Sequence, residues 1–101
     1  MEKKKPHYPL LDVQRDVEGQ GVNAFTATAL CGAAALGLSS EQAVIVVLNL
    51  KQKDFYKSMT TNADHKIWQD VYHASLKSGL VAYIKVTLRE NGSIVIQFKE
   101  K

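Results

Sequence analysis

Hydrophobic residues in the first half of the chain recur at helical spacing. After Pro9, one face of a predicted helix is apolar and is formed by Leu10, Leu11, Val13 and Val17. Gly19 and Gly21 are expected to end this helix, because glycine favours helix ends. The short segment 21–25 that follows is a candidate for a brief strand.

Two further helices are predicted after this segment. Thr26 or Thr28 caps an alanine-rich helix that runs to Gly37, and its small side chains suit close packing. Ser39 and Gln42 form a capping-box pattern at the start of a third helix. The apolar run that follows is rich in β-branched residues, so a buried strand remains the alternative there.

The second half of the chain has the alternating pattern of strands separated by turn sequences. The predicted strands are 54–61, 66–76, 80–89 and 93–99, and the predicted turns lie at NADH (62–65), KSG (77–79) and ENG (90–92). Helices followed by strands indicate an α+β fold, with N-terminal helices packed on one face of an antiparallel β-sheet meander. A length of 101 residues favours a single domain, 1–101.

Period-two alternation assigns the side chains of the last two predicted strands to opposite faces. The predicted buried positions are Leu80, Ala82, Ile84, Val86, Leu88, Ile94, Ile96 and Phe98. The predicted open positions are Val81, Tyr83, Lys85, Thr87, Arg89, Val95, Gln97 and Lys99. Tyr83 and Lys99 are therefore expected to lie on the same exposed face.

Alternation alone does not show which faces of the first two predicted strands are buried. In each strand a polar residue shares its phase with apolar or aromatic ones: Lys57 with Phe55 and Met59, and Gln69 with Ile67, Val71 and His73. Burial of an unpaired lysine is costly, so we expect Lys57 and Gln69 to face solvent.

The composition is that of a globular protein with a basic surface. Hydrophobic residues make up 46% and charged residues 23%, and the net charge of +3 permits a polyanionic partner without requiring one. Cys31 is the single cysteine, and no apolar stretch resembles a signal peptide or membrane span, so we expect a cytoplasmic protein without a membrane partner. No metal or cofactor motif is visible, and the histidines, His7, His65 and His73, are scattered.

An open sheet face that carries Lys57, Gln69, Tyr83, Lys85 and Lys99 suggests cleavage of RNA by its own 2′-hydroxyl. Lysine supplies positive charge for the phosphate, and a lysine with a lowered pKa can act as a base. A tyrosine hydroxyl donates a proton or a hydrogen bond, and the glutamine orients a phosphate or reads a base edge. The alternative from spacing alone is an amphipathic sheet with a solvated polar face.

Several motifs in this chain resemble those of the MqsR family of bacterial toxins, over nearly the whole length. They are DFYKSMTT (54–61), DH (64–65), IWQDVY (67–72), PH (6–7), ALGL (35–38), YIK (83–85) and FKEK (98–101). The resemblance implies a RelE/YoeB-like microbial ribonuclease fold. It also implies a sequence-specific endoribonuclease that cleaves mRNA at short GC-containing triplets, chiefly GCU, without a metal, a cofactor or the ribosome.

The resemblance further implies a partner and a biological setting. The toxin is expected to be neutralised by an MqsA-like antitoxin with a zinc-binding domain and a helix-turn-helix domain, so that DNA is bound only through the antitoxin. Growth arrest, persistence and biofilm phenotypes are associated with the family. An exposed strand edge, or the hairpin around Asn62 to His65, is the expected docking surface for the antitoxin.

The functional residues of the family fall on four positions of this chain, Lys57, Gln69, Tyr83 and Lys99. The segment 73–82 departs from the family pattern and is one residue longer before Tyr83, which would reverse the alternation unless a turn or bulge absorbs the extra residue. The turn RENGS (89–93) also departs from it. A non-catalytic RNA-binding or protein-binding module on the same fold is the alternative function.

Overall fold

Three α-helices and a five-stranded antiparallel sheet make up the regular structure of the described residues, which are 1–61, 63, 65–89 and 91–101 of this computed structural model. The helices are α1 (Leu10–Gln20), α2 (Ala27–Ala35) and α3 (Ser40–Leu48). The strands are β1 (Glu2–Lys3), β2 (Phe55–Thr60), β3 (Trp68–Ser75), β4 (Val81–Leu88) and β5 (Ile94–Glu100), and they lie side by side in chain order. The predicted α+β class is confirmed, and the architecture is consistent with a RelE-like ribonuclease fold.

Helix α1 buries the predicted apolar face with one exception. Leu10, Val13 and Val17 are buried, whereas Leu11 is 74% exposed. Each residue turns the helix by about 100°, which carries Leu11 off the face that its neighbours share. Gly21 ends the helix at a φ of 59°, and its N–H donates to the carbonyl oxygen of Val17.

The brief strand predicted at 21–25 is wrong. Residues Gly21–Ala24 form a 3₁₀ turn, and the N–H of Phe25 donates to the carbonyl oxygen of Val22 at 3.0 Å. These local hydrogen bonds satisfy the backbone without a partner strand. Only Phe25 is extended, and it makes an isolated parallel bridge with Ile96.

Helices α2 and α3 begin at the predicted caps. The Thr26 hydroxyl accepts a hydrogen bond from the N–H of Ala29, and Ser39 and Gln42 bond reciprocally as a capping box. The third element is therefore a helix and not the alternative strand. Within the described residues, no single helix is long and apolar enough to cross a membrane, and α2 and α3 pass that test only as a pair bent by 93°.

The helices cover one face of the sheet and build the core there. The sheet residues buried on this side are Tyr72, Ala74, Ala82, Ile84, Val86, Ile94, Ile96 and Phe98. The prediction of burial is wrong for Leu80 and Leu88, which are 40% and 38% exposed. Leu80 lies in the turn before β4, and Leu88 is the last residue of that strand.

A bulge in β2 explains why alternation alone did not assign the faces of the first two predicted strands. Phe55 pairs with Tyr72 and Lys57 pairs with Val71, so the register shifts between Phe55 and Lys57. The extra residue is Tyr56, and Phe55 can therefore face the core while Lys57 faces the opposite side.

The alternation before Tyr83 is not reversed, because the register there is continuous. Strands β3 and β4 pair continuously from Gln69 with Thr87 to Ser75 with Val81. The turn at 76–80 is closed by hydrogen bonds between Leu76 and Leu80 and between Gly79 and Leu76, and the paired residues of β3 and β4 contain no bulge. Asn62, Asp64 and Glu90 fall in the other two predicted turns and lie outside the described residues.

Candidate active site

The four predicted residues all lie on the sheet face opposite the core. Their positions follow from the register: Lys57 pairs with Val71, Gln69 pairs with Met59 and Thr87, and Tyr83 pairs with His73 and Lys99. Directly paired residues point to the same side of a sheet. The prediction that Lys57 and Gln69 face away from the core therefore agrees with the pairing.

Lys57 is held by an acidic residue from the N-terminal strand. Its Nζ lies 2.8 Å from Oε2 of Glu2, and its side chain is 20% exposed. The hydrogen bond and the charge of Glu2 raise the pKa of Lys57, and Lys57 in turn lowers the pKa of Glu2. A raised pKa favours a permanent cation over a lysine that acts as a base, which the sequence had left open.

Three rings form a row across β2, β3 and β4 beside Lys57. The ring centroids of Tyr56 and His73 are 4.4 Å apart and nearly parallel, and those of His73 and Tyr83 are 5.6 Å apart. The Nζ of Lys57 lies 5.4 Å from the Tyr56 ring, and the Nζ of Lys99 lies 5.4 Å from the Tyr83 ring. The row thus brings together three of the predicted residues, Lys57, Tyr83 and Lys99.

His73 occupies the middle of this row with an unusual environment. Its Nε2 is buried and has no hydrogen-bond partner among the described residues. Burial lowers the pKa of His73, and the positive charge of Lys101 lowers it further. The imidazole is therefore mainly neutral at pH 7, and it contacts its neighbours as an aromatic ring.

Gln69 lies apart from the Tyr83–Lys99 pair. It is separated from His73 by four positions along β3, which is ~13 Å of strand. It is diagonal to Lys57 across β2 and β3, a spacing of ~7–8 Å between such positions. Its amide Nε2 lies 3.3 Å from the Thr87 hydroxyl, so the side chain is oriented along the face.

An open cleft runs beside the Tyr83–Lys99 pair. Its volume is about 390 Å³, and Tyr83, Lys85, Gln97 and Lys99 line it together with Thr26 at the start of α2. A cleft of this size is within the range of small-ligand sites. A larger cavity of about 630 Å³ lies between α3 and the turn after β3 and contains none of the four predicted residues.

Buried Asp70 fixes the N-terminal segment on the sheet. Its carboxylate accepts hydrogen bonds from the backbone N–H groups of His7 at 3.0 Å and Tyr8 at 2.8 Å. The Tyr8 hydroxyl donates to the carbonyl oxygen of Trp68, and the His7 ring stacks on Trp68. This anchoring places the preceding strand, and with it Glu2, beside Lys57.

Sequence reasoning missed two residues of this face, Glu2 and Tyr56. Glu2 meets Lys57 across 55 positions of the chain, and no local pattern signals such a contact. The run of Phe55, Tyr56 and Lys57 did carry a signal, because two adjacent aromatic residues before a lysine break the period of two. Among the described residues, no group of three or more histidine, cysteine, aspartate or glutamate side chains is arranged to hold a metal ion.

Comparisons with known proteins identify the family. The family described as motility quorum-sensing regulator, toxin of MqsA, matches residues 5–100. The chain is also 44% identical over 101 residues to the mRNA interferase toxin MqsR of Escherichia coli (strain K12), and the match covers 100% of both chains. These matches extend beyond the motifs and include the segment 73–82. The chain belongs to the MqsR toxin family.

Proposed function

We propose that this toxin is an endoribonuclease that cleaves mRNA at GC-containing triplets, chiefly GCU, by attack of the 2′-hydroxyl on the adjacent phosphate. The observation that supports it is the placement of Lys57, Tyr83 and Lys99 around one row of rings on an open sheet face. The relative from Escherichia coli is named for mRNA cleavage. The mRNA substrate would place this activity in the cytoplasm.

The candidate residues would take two roles in this reaction, stabilisation of negative charge and donation of a proton or hydrogen bond. In the reaction the 2′-oxygen bonds to phosphorus and the bond to the 5′-oxygen breaks, which leaves a 2′,3′-cyclic phosphate and a 5′-hydroxyl. The proton of the 2′-hydroxyl leaves to a basic group or water, and the 5′-oxygen gains a proton. Lys57 and Lys99 would stabilise the extra negative charge on the phosphate. Tyr83 would donate a proton or hydrogen bond to an oxygen of the reacting phosphate.

Gln69 would take a different role from the other three residues. It lies on the same face, diagonal to Lys57 across β2 and β3, where an amide can form a hydrogen bond with a base edge or a neighbouring phosphate. We therefore propose that Gln69 orients the RNA and that Lys57, Tyr83 and Lys99 act on the phosphate that is cut. These residues supply charge and proton donation, so the proposed reaction requires no metal.

We also propose that an MqsA-like antitoxin with a zinc-binding domain and a helix-turn-helix domain neutralises this toxin. One edge of the sheet is a suitable docking site, because β1 is only two residues long and leaves part of β2 open to strand addition. The other edge is partly covered, since the N–H of Thr26 donates to the carbonyl oxygen of Ile96. Amide exchange in the complex should protect the β1–β2 edge or the segment 62–65, and protection confined to the helices would contradict this.

Replacement of Lys57 by alanine tests the catalytic proposal against the alternative of a non-catalytic binding module. We expect the wild type to cleave a GCU-containing RNA and arrest growth, and Lys57→Ala to lose most of both effects. A Lys53→Ala variant is the matched control, since Lys53 is exposed and lies outside β2. RNA binding by the wild type without any cleavage would favour the binding module, and full cleavage by Lys57→Ala would remove Lys57 from the mechanism.

A further inference from the structure

The bulge in β2 places an aromatic ring where regular alternation would not. Phe55 and Lys57 flank the register shift, and the residue between them, Tyr56, faces the same side as Lys57. In a regular strand, adjacent residues would point to opposite faces, and Tyr56 would enter the core. Instead the side chain of Tyr56 is on the polar face and the residue is 46% exposed. Bulges near active sites often redirect a side chain in this way.

The Tyr56 ring is supported from within the sheet. His73 lies against it at 4.4 Å between centroids with an interplanar angle of 24°, and Tyr83 lies behind His73 at 5.6 Å. A ring held in this manner loses little conformational freedom when a ligand stacks on it. The part of Tyr56 that stays open to solvent is thus a rigid aromatic surface.

The charges around Tyr56 indicate what kind of ligand this surface fits. Nζ of Lys57 lies 5.4 Å and Nζ of Lys4 lies 5.8 Å from the centroid of the Tyr56 ring. Lys85 and Lys99 surround Tyr83 at the other end of the row. Aromatic rings flanked by cations are the combination that binds single-stranded nucleic acid, because bases stack on the rings and phosphates meet the cations.

We propose that Tyr56 is a stacking platform for one nucleobase of the single-stranded RNA, next to the phosphate that Lys57 contacts. The proposal rests on the proposed function, since it takes mRNA as the substrate. It assigns a binding role to a residue outside the four candidate catalytic positions. The neighbouring positions of Tyr56 and Lys57 would then fix where along the RNA the cut falls, relative to the stacked base.

Binding to an uncleavable RNA separates this role from catalysis. The probe is a fluorescent GCU-containing oligonucleotide with 2′-deoxy sugars at the triplet, and the readout is the Kd from fluorescence anisotropy. We expect Tyr56→Leu to weaken binding by about 5- to 150-fold, the effect of losing one stacked base, and Tyr56→Phe to recover most of it. Leu11→Ala removes an exposed apolar side chain on α1 and is the matched control, with no change expected.

An abasic scan then tests whether Tyr56 contacts a base. At one position of the oligonucleotide, removal of the base should weaken binding to the wild type and have no further effect on Tyr56→Leu. Equal effects on both proteins at every position would overturn the proposal, as would wild-type affinity of a folded Tyr56→Leu. If Tyr56→Leu lost stability, Tyr56→Trp would decide instead, because a larger ring should increase the loss of affinity at the same abasic position, and an unchanged loss there would overturn the proposal.

Two further outcomes distinguish this proposal from the proposed function. If the wild type neither binds nor cleaves the RNA, the proposed function fails, and the platform fails with it. If the wild type binds and cleaves but Tyr56→Leu does the same, only the platform is overturned. Loss of antitoxin binding by Tyr56→Leu with unchanged RNA binding would also overturn it, and would place Tyr56 in the protein interface.

Discussion

Replacement of Gly32 by alanine is expected to destabilise the protein, although alanine is the better helix former. Gly32 lies within α2 where the helix crosses β5, and a Cβ atom there would be 2.1 Å from the carbonyl oxygen of Phe98. It would also be 3.1 Å from Cα of Lys99, whereas ordinary contacts begin at 3.4 Å. These neighbours are backbone atoms that cannot rotate away, so α2 and β5 must move apart.

The magnitude follows from two opposed effects. A glycine-to-alanine change within a helix stabilises by about 0.5–1 kcal/mol, and overpacking of a close contact costs about 1–3 kcal/mol. We expect a net loss for Gly32→Ala, and each 1 kcal/mol lost should lower the Tm by about 4–8 °C in a domain of this size. Gly19→Ala is the matched control: it lies in α1 with nothing within 4 Å of the added Cβ, so it should be neutral or stabilising.

Thermal unfolding of both variants, followed by circular dichroism, measures these effects. The same samples should be tested for RNA cleavage, because displacement of β5 at Phe98 moves the adjacent Lys99 out of position. Gly32→Ala should then lose cleavage at temperatures where it is still folded. A Gly32→Ala protein as stable as Gly19→Ala would refute the close approach of α2 to β5.

Three other changes test separate parts of the structure. Asp70→Asn should lower the free energy of unfolding by about 1–3 kcal/mol, because the two backbone N–H groups lose a charged acceptor; an unchanged Tm would contradict the anchoring role. The pKa of folded His73 lies below its ordinary 6.5, so the unfolded chain takes up the proton first, and stability should fall as the pH drops through 6.5. Chemical unfolding across this pH range should show a smaller loss of stability for His73→Phe than for the wild type. Equal losses of stability in the two proteins would be evidence against the buried imidazole. Tyr83→Phe should slow cleavage by about 10²–10⁴-fold if the hydroxyl transfers a proton, with little change in the Kd for 2′-deoxy RNA, and a larger change in Kd than in rate would assign Tyr83 to binding.

Features that depend on neighbours in the sequence were predictable here. The capping box at Ser39 and Gln42 needs only four consecutive residues, and it marked the start of α3 despite the β-branched run that follows. The alternation in β4 and β5 identified the faces of Tyr83 and Lys99 because both strands are regular between their ends. It failed at Leu80, which lies in the turn before β4, and at Leu88, the last residue of that strand.

Features that depend on distant pairing were not predictable. The adjacent aromatic residues Phe55 and Tyr56 interrupt the alternation, but a bulge is identified only when β2 is aligned with β3, since a register shift is a property of two strands. Strand β1 has two residues and no apolar pattern, yet it carries the carboxylate that holds Lys57. The cost of burying an unpaired lysine predicted correctly that Lys57 and Gln69 face away from the core, but only the pairing of β2 with β3 shows why alternation alone could not assign them.

The central claim is that the 2′-hydroxyl of the RNA cuts the adjacent phosphate on the face that carries Lys57 and Tyr83. The most direct measurement compares an unstructured RNA containing GCU and control triplets with the same RNA carrying 2′-deoxy sugars at each triplet, in the presence of EDTA. We expect cleavage of the ribose substrate alone, at GCU before the control triplets, with a 2′,3′-cyclic phosphate on the product. Cleavage of the 2′-deoxy substrate, or a requirement for an added metal ion, would contradict this mechanism.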